Sequence, residues 1–318
     1  MSALNFSLRV LRYVVETADA GSVTEAAKRL NVSQPSISTA VAQMEAEFGI
    51  QIFVRHHARG VTLSAAGQRF VNDARLLLNH ARDFATNVQS LGDALQGEIV
   101  VGAFLTLAAR FMPALLATFA KAHPGISVTL LEGDQQEIIE ALTSGRTEIA
   151  LSYSFAVPDE IVGEKLADLP PFVLVSAEHP LARQADVSLA DLRDEPFLLL
   201  DLPHSRDYFL RLFQICGLEP RTAFRSRSSE LIRGLVGHNR GYTIHNAVPG
   251  STHGYDGSHI AVLPIREELP GTQITSLRLR RHELRPAVRA FAAYLKAAFA
   301  ADGICGPGSI PPARVHAA

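Results

Sequence analysis

A seam of seven apolar side chains runs along residues 64–92, and it constrains the fold more than any other feature. Its members are separated alternately by four and three residues, the spacing at which two helices pack side by side. A stretch with almost no strand pattern precedes the seam, and short β-branched runs alternate with helical runs after it. We therefore predict a helical domain and an α/β domain joined by one long helix. The seam consists of Phe70, Ala74, Leu77, Ala81, Phe84, Val88 and Leu91.

The bulk composition is that of a folded protein with two or three domains. The chain has 318 residues, of which 47% are hydrophobic and 19% are charged, and one ordinary core rarely extends over that length. These values exclude a collagen, a disordered acidic protein and a small disulfide scaffold. The net charge is −2, but the first 92 residues hold nine Lys and Arg against seven Asp and Glu. DNA binding by the N-terminal segment is compatible with this mild asymmetry.

Cysteine usage and hydropathy predict a cytoplasmic protein. Cys216 and Cys305 form neither a CxxC motif nor a metal-site spacing, and a reducing compartment is the default for such a chain. No apolar run reaches the roughly 18 residues that a membrane helix needs. The N-terminal stretch is interrupted by Arg9, Arg12 and Glu16, so it does not fit a signal peptide. We expect no association with a membrane.

Two short amphipathic helices separated by a tight break are predicted near the N-terminus. Ser22 can cap the first one, because its hydroxyl accepts the amide of Glu25 and the Glu25 side chain can reach back. A break at Asn31 follows. Ser33 caps the second helix, in whose first turn Pro35 is tolerated. This is the helix-turn-helix arrangement, in which the second helix enters the major groove of DNA.

Hydrogen-bonding side chains line the face of the second helix that is predicted to be exposed. Such side chains can reach base edges or phosphates in a groove about 12 Å wide. A solvated face in an ordinary helical bundle would show the same pattern. Together with two residues of the first helix, the candidates for DNA contact are Ser22, Thr24, Ser33, Gln34, Pro35, Ser36, Ser38, Thr39 and Gln43.

A basic turn after these helices favours DNA binding over the bundle. Residues 50–54 and 60–63 alternate in the manner of strands and predict a two-stranded wing. Its turn carries Arg55 and Arg59 together with two histidines. Positive side chains beside a recognition helix are suited to phosphate contacts, so both arginines join the candidates.

The apolar seam predicts a dimer. A heptad pattern of this regularity requires a partner helix, although the same side chains could pack on their own domain. Two chains paired along the seam would present two recognition helices. The expected target is therefore a two-fold related site on double-stranded DNA.

Three motifs in this region together form a specific pattern. They are SVTEAAKRLNVSQPSIS at 22–38, GIQIF at 49–53 followed by Arg55, and LSAAG at 63–67. In these motifs, and in the order of its later elements, the chain resembles the LysR-type transcriptional regulator family. The resemblance implies a non-enzymatic regulator without a cofactor that binds a small-molecule effector and forms homodimers or homotetramers. RNA polymerase is a further candidate partner.

The resemblance also implies an α + α/β domain organisation. The strand and helix runs between residues 98 and 152 independently predict a parallel sheet with right-handed crossovers. Crossings between two lobes are expected near 166–168 and 266–270. The expected parts are a winged helix-turn-helix domain at 1–63, a linker and dimerisation helix at 64–96, a two-lobed periplasmic-binding-protein-like α/β domain at 97–301 (lobe I about 97–166 and 268–301, lobe II about 167–267), and a flexible tail at 302–318.

The effector is expected beyond the carboxyl ends of the strands, where ligands of open α/β sheets bind. Two of these strand ends also open helices, whose free amides favour an anionic group. Arg206 could pair with a carboxylate, and the resemblance is firmest at Thr106. Helix capping alone would account for several of these residues. The candidates are Phe104, Leu105, Thr106, Asp134, Ser152, Ser154, His204, Ser205, Arg206 and His245.

Two other functions fit parts of the sequence. His238, His245, His253, Asp256 and His259 lie close together, but their spacing matches no zinc motif. A metal-dependent hydrolase is therefore the weakest alternative, and we predict no metal site. A solute-binding module without DNA function would need a secretion signal, which is not visible.

Overall fold

The N-terminal part of the chain is a helical domain with a two-stranded wing, as the sequence predicts. Its apolar side chains enclose one small core, to which the long helix contributes. The structure, a computed structural model, describes residues 6–56, 60–89, 95–247 and 250–306. The elements are α1 (Leu8–Ala20), α2 (Val23–Leu30), α3 (Gln34–Phe48), β1 (Phe53–His56), β2 (Gly60–Leu63) and the long helix α4 (Ala65–Gln89).

Three predictions fall outside the described residues. They concern Arg59 in the wing, Leu91 in the seam, and most of the expected tail at 302–318. The Val88 side chain is likewise not described, although its backbone belongs to α4.

Local capping explains where the first helices begin and end. Gly21 and Gly49 follow α1 and α3 with φ angles of 60° and 64°, a left-handed conformation that glycine adopts without steric cost. The Ser22 hydroxyl accepts the Glu25 amide at 3.3 Å. In this described stretch the Glu25 carboxylate does not reach back to the backbone of Ser22 as predicted, because it faces Arg29 at 3.7 Å.

The apolar seam of α4 divides into two parts. Ala74 is buried in the N-terminal core, and the Phe70 ring centroid lies 5.3 Å from that of Phe48. Ala74 is therefore covered by its own domain, and its predicted dimerisation role is corrected, whereas Phe70 is only half-buried and its role stays a prediction. Leu77 and Phe84 are 43% and 70% exposed, and for these two a partner helix stays a prediction.

Strands and helices alternate through the C-terminal domain. In chain order they are β3 (Gly97–Phe104), α5 (Leu105–Ala122), β4 (Ile126–Gly133), α6 (Gln135–Thr143), β5 (Ile149–Tyr153), β6 (Ile161–Leu169), β7 (Phe172–Ser176), β8 (Phe197–Leu200), α7 (Ser205–Ile215), β9 (Thr222–Ser226), α8 (Ser229–Gly237), β10 (Thr243–His245), β11 (Ile260–Pro264), β12 (Thr272–Leu279) and α9 (Pro286–Ala298).

These elements form two lobes, as expected. Lobe I has a five-stranded sheet of order β4-β3-β5-β12-β6. Its β3 is parallel to β4 and β5, as predicted, whereas β12 is antiparallel to β5 and β6. Lobe II contains the sheets β10-β7-β11 and β8-β9, which a bridge between Phe197 and Tyr242 connects. The parallel strands β3 and β4 lead directly into α5 and α6.

The chain passes between the lobes at 170–171 and again at 265–271. The first predicted crossing, near 166–168, is corrected, because those residues belong to β6. The sequence pattern missed this strand. It lies at the edge of the sheet and is exposed at its centre, so no regular apolar alternation marks it. The second passage overlaps the predicted 266–270.

Helix α5 has 18 residues and by length and composition alone could cross a membrane. Here Leu107, Phe111, Leu115 and Phe119 are buried in the core. The Phe119 ring contacts that of Phe291 in α9 edge to face. Its apolar side chains therefore hold α5 in lobe I.

A buried arginine attaches α4 to lobe I. The Arg285 side chain is 1% exposed, and its guanidinium donates to the carboxylates of Asp83 in α4 and Glu148 beside β5. It also donates to the Glu98 carbonyl oxygen at 3.0 Å. Burial would lower the pKa of Arg285, but the bonds and charges of Glu148 and Asp83 outweigh it and raise the pKa. The linker helix and lobe I of one chain are thereby packed together.

Candidate DNA-contacting surface and interlobe cavity

The outer face of α3 presents the polar side chains predicted for DNA contact. Its inner face packs into the N-terminal core through Ile37, Ala40, Val41 and Met44, which recur at helical spacing. The structure thus separates an apolar inner face from a polar outer one. Ser33, Gln34, Pro35, Ser36, Thr39 and Gln43 are exposed, and Ser38 is half-buried.

Among these candidates, Gln34 is the best placed for a base contact. The Ser33 and Ser22 hydroxyls already cap α3 and α2, and Thr24 is exposed in the first turn of α2. The Gln34 side-chain amide donates to the Ser38 hydroxyl at 3.4 Å, a long bond that a base edge can replace at little cost. Residues at the N-terminal end of a recognition helix are those that reach base edges.

The wing places Arg55 beside these helices. Arg55 is exposed on β1, which pairs with β2 from Phe53–Leu63 to His56–Gly60. The Val61 amide donates to the Gly21 carbonyl at 2.9 Å and so joins the wing to the end of α1. A charge held in this way can contact a phosphate next to the groove that α3 would occupy.

A cavity of about 480 Å³ lies between the two lobes. Helix α5 of lobe I forms one wall, and the start of α8 together with the segments after β8 and β10 forms the other. Its lining combines apolar and polar side chains, which is typical of a small-molecule site. The apolar ones are Leu105, Ala109, Leu202 and Ala247, and the polar or aromatic ones include Thr106, Arg110, Arg227, Ser228, Ser229, Glu230, Arg233, His245, Ser251, His253 and Tyr255.

Three of the predicted effector residues line this cavity, namely Leu105, Thr106 and His245. The Thr106 hydroxyl lies 2.9 Å from the Tyr153 hydroxyl, so one polar group of the wall is held by the strand behind it. A fourth candidate, Asp134, does not line the cavity but bonds to Arg227, which does.

Three other candidates are buried and cannot meet a ligand in the cavity. Phe104 and Ser152 lie in the interior of lobe I, where the Ser152 hydroxyl donates to the Gln135 side chain at 2.7 Å. Ser205 is buried at the start of α7. Their predicted role is corrected, because all three side chains lie inside the lobes and none is part of the cavity wall.

The remaining candidates also lie outside the cavity lining. Arg206 pairs with Asp201 at 3.0 Å. Its hydrogen bond to Asp207, followed by that to Asp201, raises the pKa of Arg206. His204 and Ser154 are exposed. Arg206 is already neutralised by its neighbours, which removes the reason for expecting a ligand carboxylate there.

His245 is a buried polar group of the cavity wall. It is 3% exposed, and its Nε2 has no hydrogen-bond partner among the described residues. Burial, reinforced by the charge of Arg233, lowers the pKa of His245 to about 4, so the ring is neutral near pH 7. A neutral imidazole can donate one hydrogen bond and accept another, which suits recognition of a polar ligand group.

The cavity contains three arginines that the sequence analysis missed. Arg233 donates to Glu230 at 2.6 Å and to the Ser251 carbonyl at 2.8 Å. The Arg110 guanidinium lies 5.1 Å from the centre of its neighbour's ring, that of Phe111. The third is Arg227, which directly follows β9 and precedes α8. Ligands bind beyond the carboxyl ends of strands, and the same reasoning applied to β9 would have identified Arg227.

The histidines considered for a metal do not assemble. His238 pairs with Asp256 at 3.0 Å, His253 and His259 form a second pair with ring centroids 4.0 Å apart, and His245 lies in the cavity wall. Within the described ranges, no group of three or more His, Cys, Asp or Glu could hold a metal ion.

Comparison with known proteins identifies both domains. Residues 8–68 match the bacterial regulatory helix-turn-helix protein model of the lysR family, and residues 92–300 match the LysR substrate binding domain. The chain is 30% identical to the uncharacterized HTH-type transcriptional regulator YnfL of Escherichia coli K12, over 92% of this chain and 98% of that one.

Solved structures extend the likeness over both domains. HinK, a LysR family transcriptional regulator from Pseudomonas aeruginosa, is 37% identical with a TM-score of 0.61, over 92% of this chain and 98% of that one. CbnR in complex with its target DNA is 27% identical with a TM-score of 0.55, over 92% of this chain and 99% of that one.

Proposed function

The chain belongs to the LysR family of transcriptional regulators, and from this premise we propose that α3 and the wing bind promoter DNA while the interlobe cavity binds a small-molecule effector. The proposal of DNA binding rests on the polar outer face of α3, which lies beside the exposed Arg55. We place the protein in the cytoplasm, as a non-enzymatic homodimer or homotetramer on a two-fold related site. RNA polymerase is a further candidate partner.

The proposed mechanism is a shift between two closure states of the lobes. An effector biases this equilibrium only by its difference in affinity for the two states. Arg285 attaches α4 to lobe I, so a movement of that lobe reaches the helix that bears the DNA-binding domain. A change of closure would then alter the spacing of the two DNA-binding domains in a dimer.

Gln34→Ala is expected to reduce discrimination between duplexes, because it removes a side chain placed for a base edge. We expect a loss of about 1–3 kcal/mol, the value of one good base contact. The measurement compares a duplex selected from a random library with an unrelated duplex. Gln136→Ala, at an exposed glutamine of lobe I, is the control and should leave both affinities unchanged.

Arg55→Ala is expected to weaken the binding of both duplexes alike. A phosphate contact contributes the same to every sequence, so the slope of log affinity against log salt should fall by about one. Titrations at several salt concentrations measure both quantities. If Arg55→Ala changed discrimination while Gln34→Ala changed only the salt slope, the roles assigned to these residues would be reversed.

Thr106→Val is expected to suppress the response to an effector. Any compound from a small-metabolite screen that raises the Tm of the chain by binding should lose most of that effect in this variant. Tyr153→Phe is the matched control, since it removes the other half of the 2.9 Å hydroxyl pair and leaves the Thr106 hydroxyl in place. An equal response in both variants would show that the Thr106 hydroxyl makes no ligand contact.

A further inference from the structure

The carboxylate of Glu45 connects α3 to the wing. Glu45 lies in the last turn of α3, and its Oε1 accepts the backbone amide of Ile52 at 2.7 Å and that of Phe53 at 3.0 Å. Phe53 is the first residue of β1. One side-chain oxygen of α3 therefore holds two successive amides at the point where the wing begins.

Both amides belong to buried residues. Ile52 and Phe53 are 0% and 4% exposed, and buried backbone amides of folded proteins almost always have a hydrogen-bond partner. Glu45 provides that partner. The carboxylate in turn depends on the amides, because the dipole of α3 disfavours a negative charge in its last turn. The helix and the start of the wing therefore stabilise each other at this contact.

The two hydrogen bonds restrict the direction in which the wing leaves α3. The side chains of Ile52 and Phe53 pack in the N-terminal core, but hydrophobic contacts are non-directional. Hydrogen bonds weaken steeply away from a straight N–H···O geometry, so two consecutive bonds to one carboxylate fix the angle of β1. The bond from the Val61 amide to the Gly21 carbonyl oxygen holds β2 to the end of α1 and not to α3.

Arg55 is placed relative to α3 by the same strand. It lies two residues beyond Phe53 on β1, and side chains two apart in a strand share a face. Phe53 packs towards the helices, so the exposed Arg55 side chain projects on the helical side of the wing. Its distance from α3 thus depends on the angle at which β1 leaves the Glu45 carboxylate.

We propose that Glu45 is a positioning residue for DNA binding, which holds the start of the wing on α3 so that Arg55 reaches a phosphate while α3 lies in the groove. Two contacts with one rigid duplex require a fixed distance between the groups that make them. Without the carboxylate, α3 keeps its base contacts and the wing loses its phosphate contact. This inference rests on the proposed DNA-binding role of α3 and the wing.

Glu45→Ala and Glu45→Gln separate the loss of the hydrogen bonds from the loss of the charge. Both remove the negative charge, but Gln retains a carbonyl oxygen that can accept the two amides. We expect Glu45→Ala to lower the slope of log affinity against log salt by about one, as Arg55→Ala does, and Glu45→Gln to retain the slope of the parent. Discrimination between the selected and the unrelated duplex, which depends on Gln34, should persist in both variants.

The double variant Glu45→Ala, Arg55→Ala tests whether Glu45 acts through Arg55. If it does, the double variant should have the salt slope of Arg55→Ala alone. Hydrogen exchange of the amides in segment 50–56 of the full chain should be faster in Glu45→Ala than in the parent or in Glu45→Gln. Glu45→Asp keeps the charge but draws the carboxylate back towards α3, so it should lower the slope as Glu45→Ala does, and it replaces that variant if alanine prevents folding.

Three results would overturn the proposal: an unchanged salt slope in Glu45→Ala, equal slopes in Glu45→Ala and Glu45→Gln, or a further fall when Glu45→Ala is added to Arg55→Ala. The single variant Arg55→Ala separates this inference from the proposed function. A slope that falls in Arg55→Ala but not in Glu45→Ala refutes the positioning role alone. A slope that Arg55→Ala leaves unchanged refutes the phosphate contact of the wing, and the positioning role with it.

Discussion

Arg285→Met is expected to lower the free energy of unfolding by about 3–5 kcal/mol. The side chain is 1% exposed, and the carboxylates it contacts, those of Asp83 and Glu148, are 9% and 6% exposed. Removing the guanidinium leaves two buried negative charges close together without a counter-ion. Since Asp83 belongs to α4, the change should also loosen the linker helix from lobe I.

Denaturant unfolding of the full chain measures this loss, with Arg289→Met as the control. Arg289 lies one turn further along in α9 and is exposed, so its replacement should cost less than about 0.5 kcal/mol. Adding Asp83→Leu and Glu148→Met to Arg285→Met should recover most of the stability, because an apolar set of similar volume tolerates burial. A loss that this triple replacement does not recover would trace the effect to packing instead of charge.

The elements that local patterns specify were predictable from the sequence. Ser22 and Ser33 cap their helices and Gly21 ends α1, because these features depend on neighbours within a few residues. The seam of α4 was recognised, but its partner was not. Phe70 and Ala74 pack on their own domain, and periodicity alone does not reveal which surface covers an apolar stripe.

The cavity was predicted less well, because it depends on contacts distant in sequence. Thr106 and His245 were found by their positions next to strand ends. Ser152 satisfied the same rule but bonds within its own lobe. Arg227 and Asp134 are 93 residues apart in sequence, and no local pattern indicates that the lobes bring them together.

Gly67→Ala is expected to destabilise the N-terminal domain by about 2–3 kcal/mol and to abolish duplex binding. Gly67 belongs to the LSAAG motif and lies in the first turn of α4, where an added Cβ would be 2.0 Å from the Ile52 carbonyl oxygen. That oxygen also accepts the Ser64 amide at 3.0 Å, so the clash would separate α4 from the wing.

Helix propensity alone predicts the opposite sign, since Ala is favoured over Gly by about 1 kcal/mol inside a helix. The steric effect should dominate, because the obstructing atom is backbone and cannot rotate away. Gly49→Ala is the matched control: its φ is +64° but no atom lies within 4 Å of the added Cβ, so it should cost only about 1 kcal/mol. Duplex titration and thermal unfolding of both variants distinguish the steric effect from helix propensity. Ligand binding in the cavity shows whether the C-terminal domain is still intact. A Gly67→Ala chain as stable as the parent would show that α4 and Ile52 can move apart without loss.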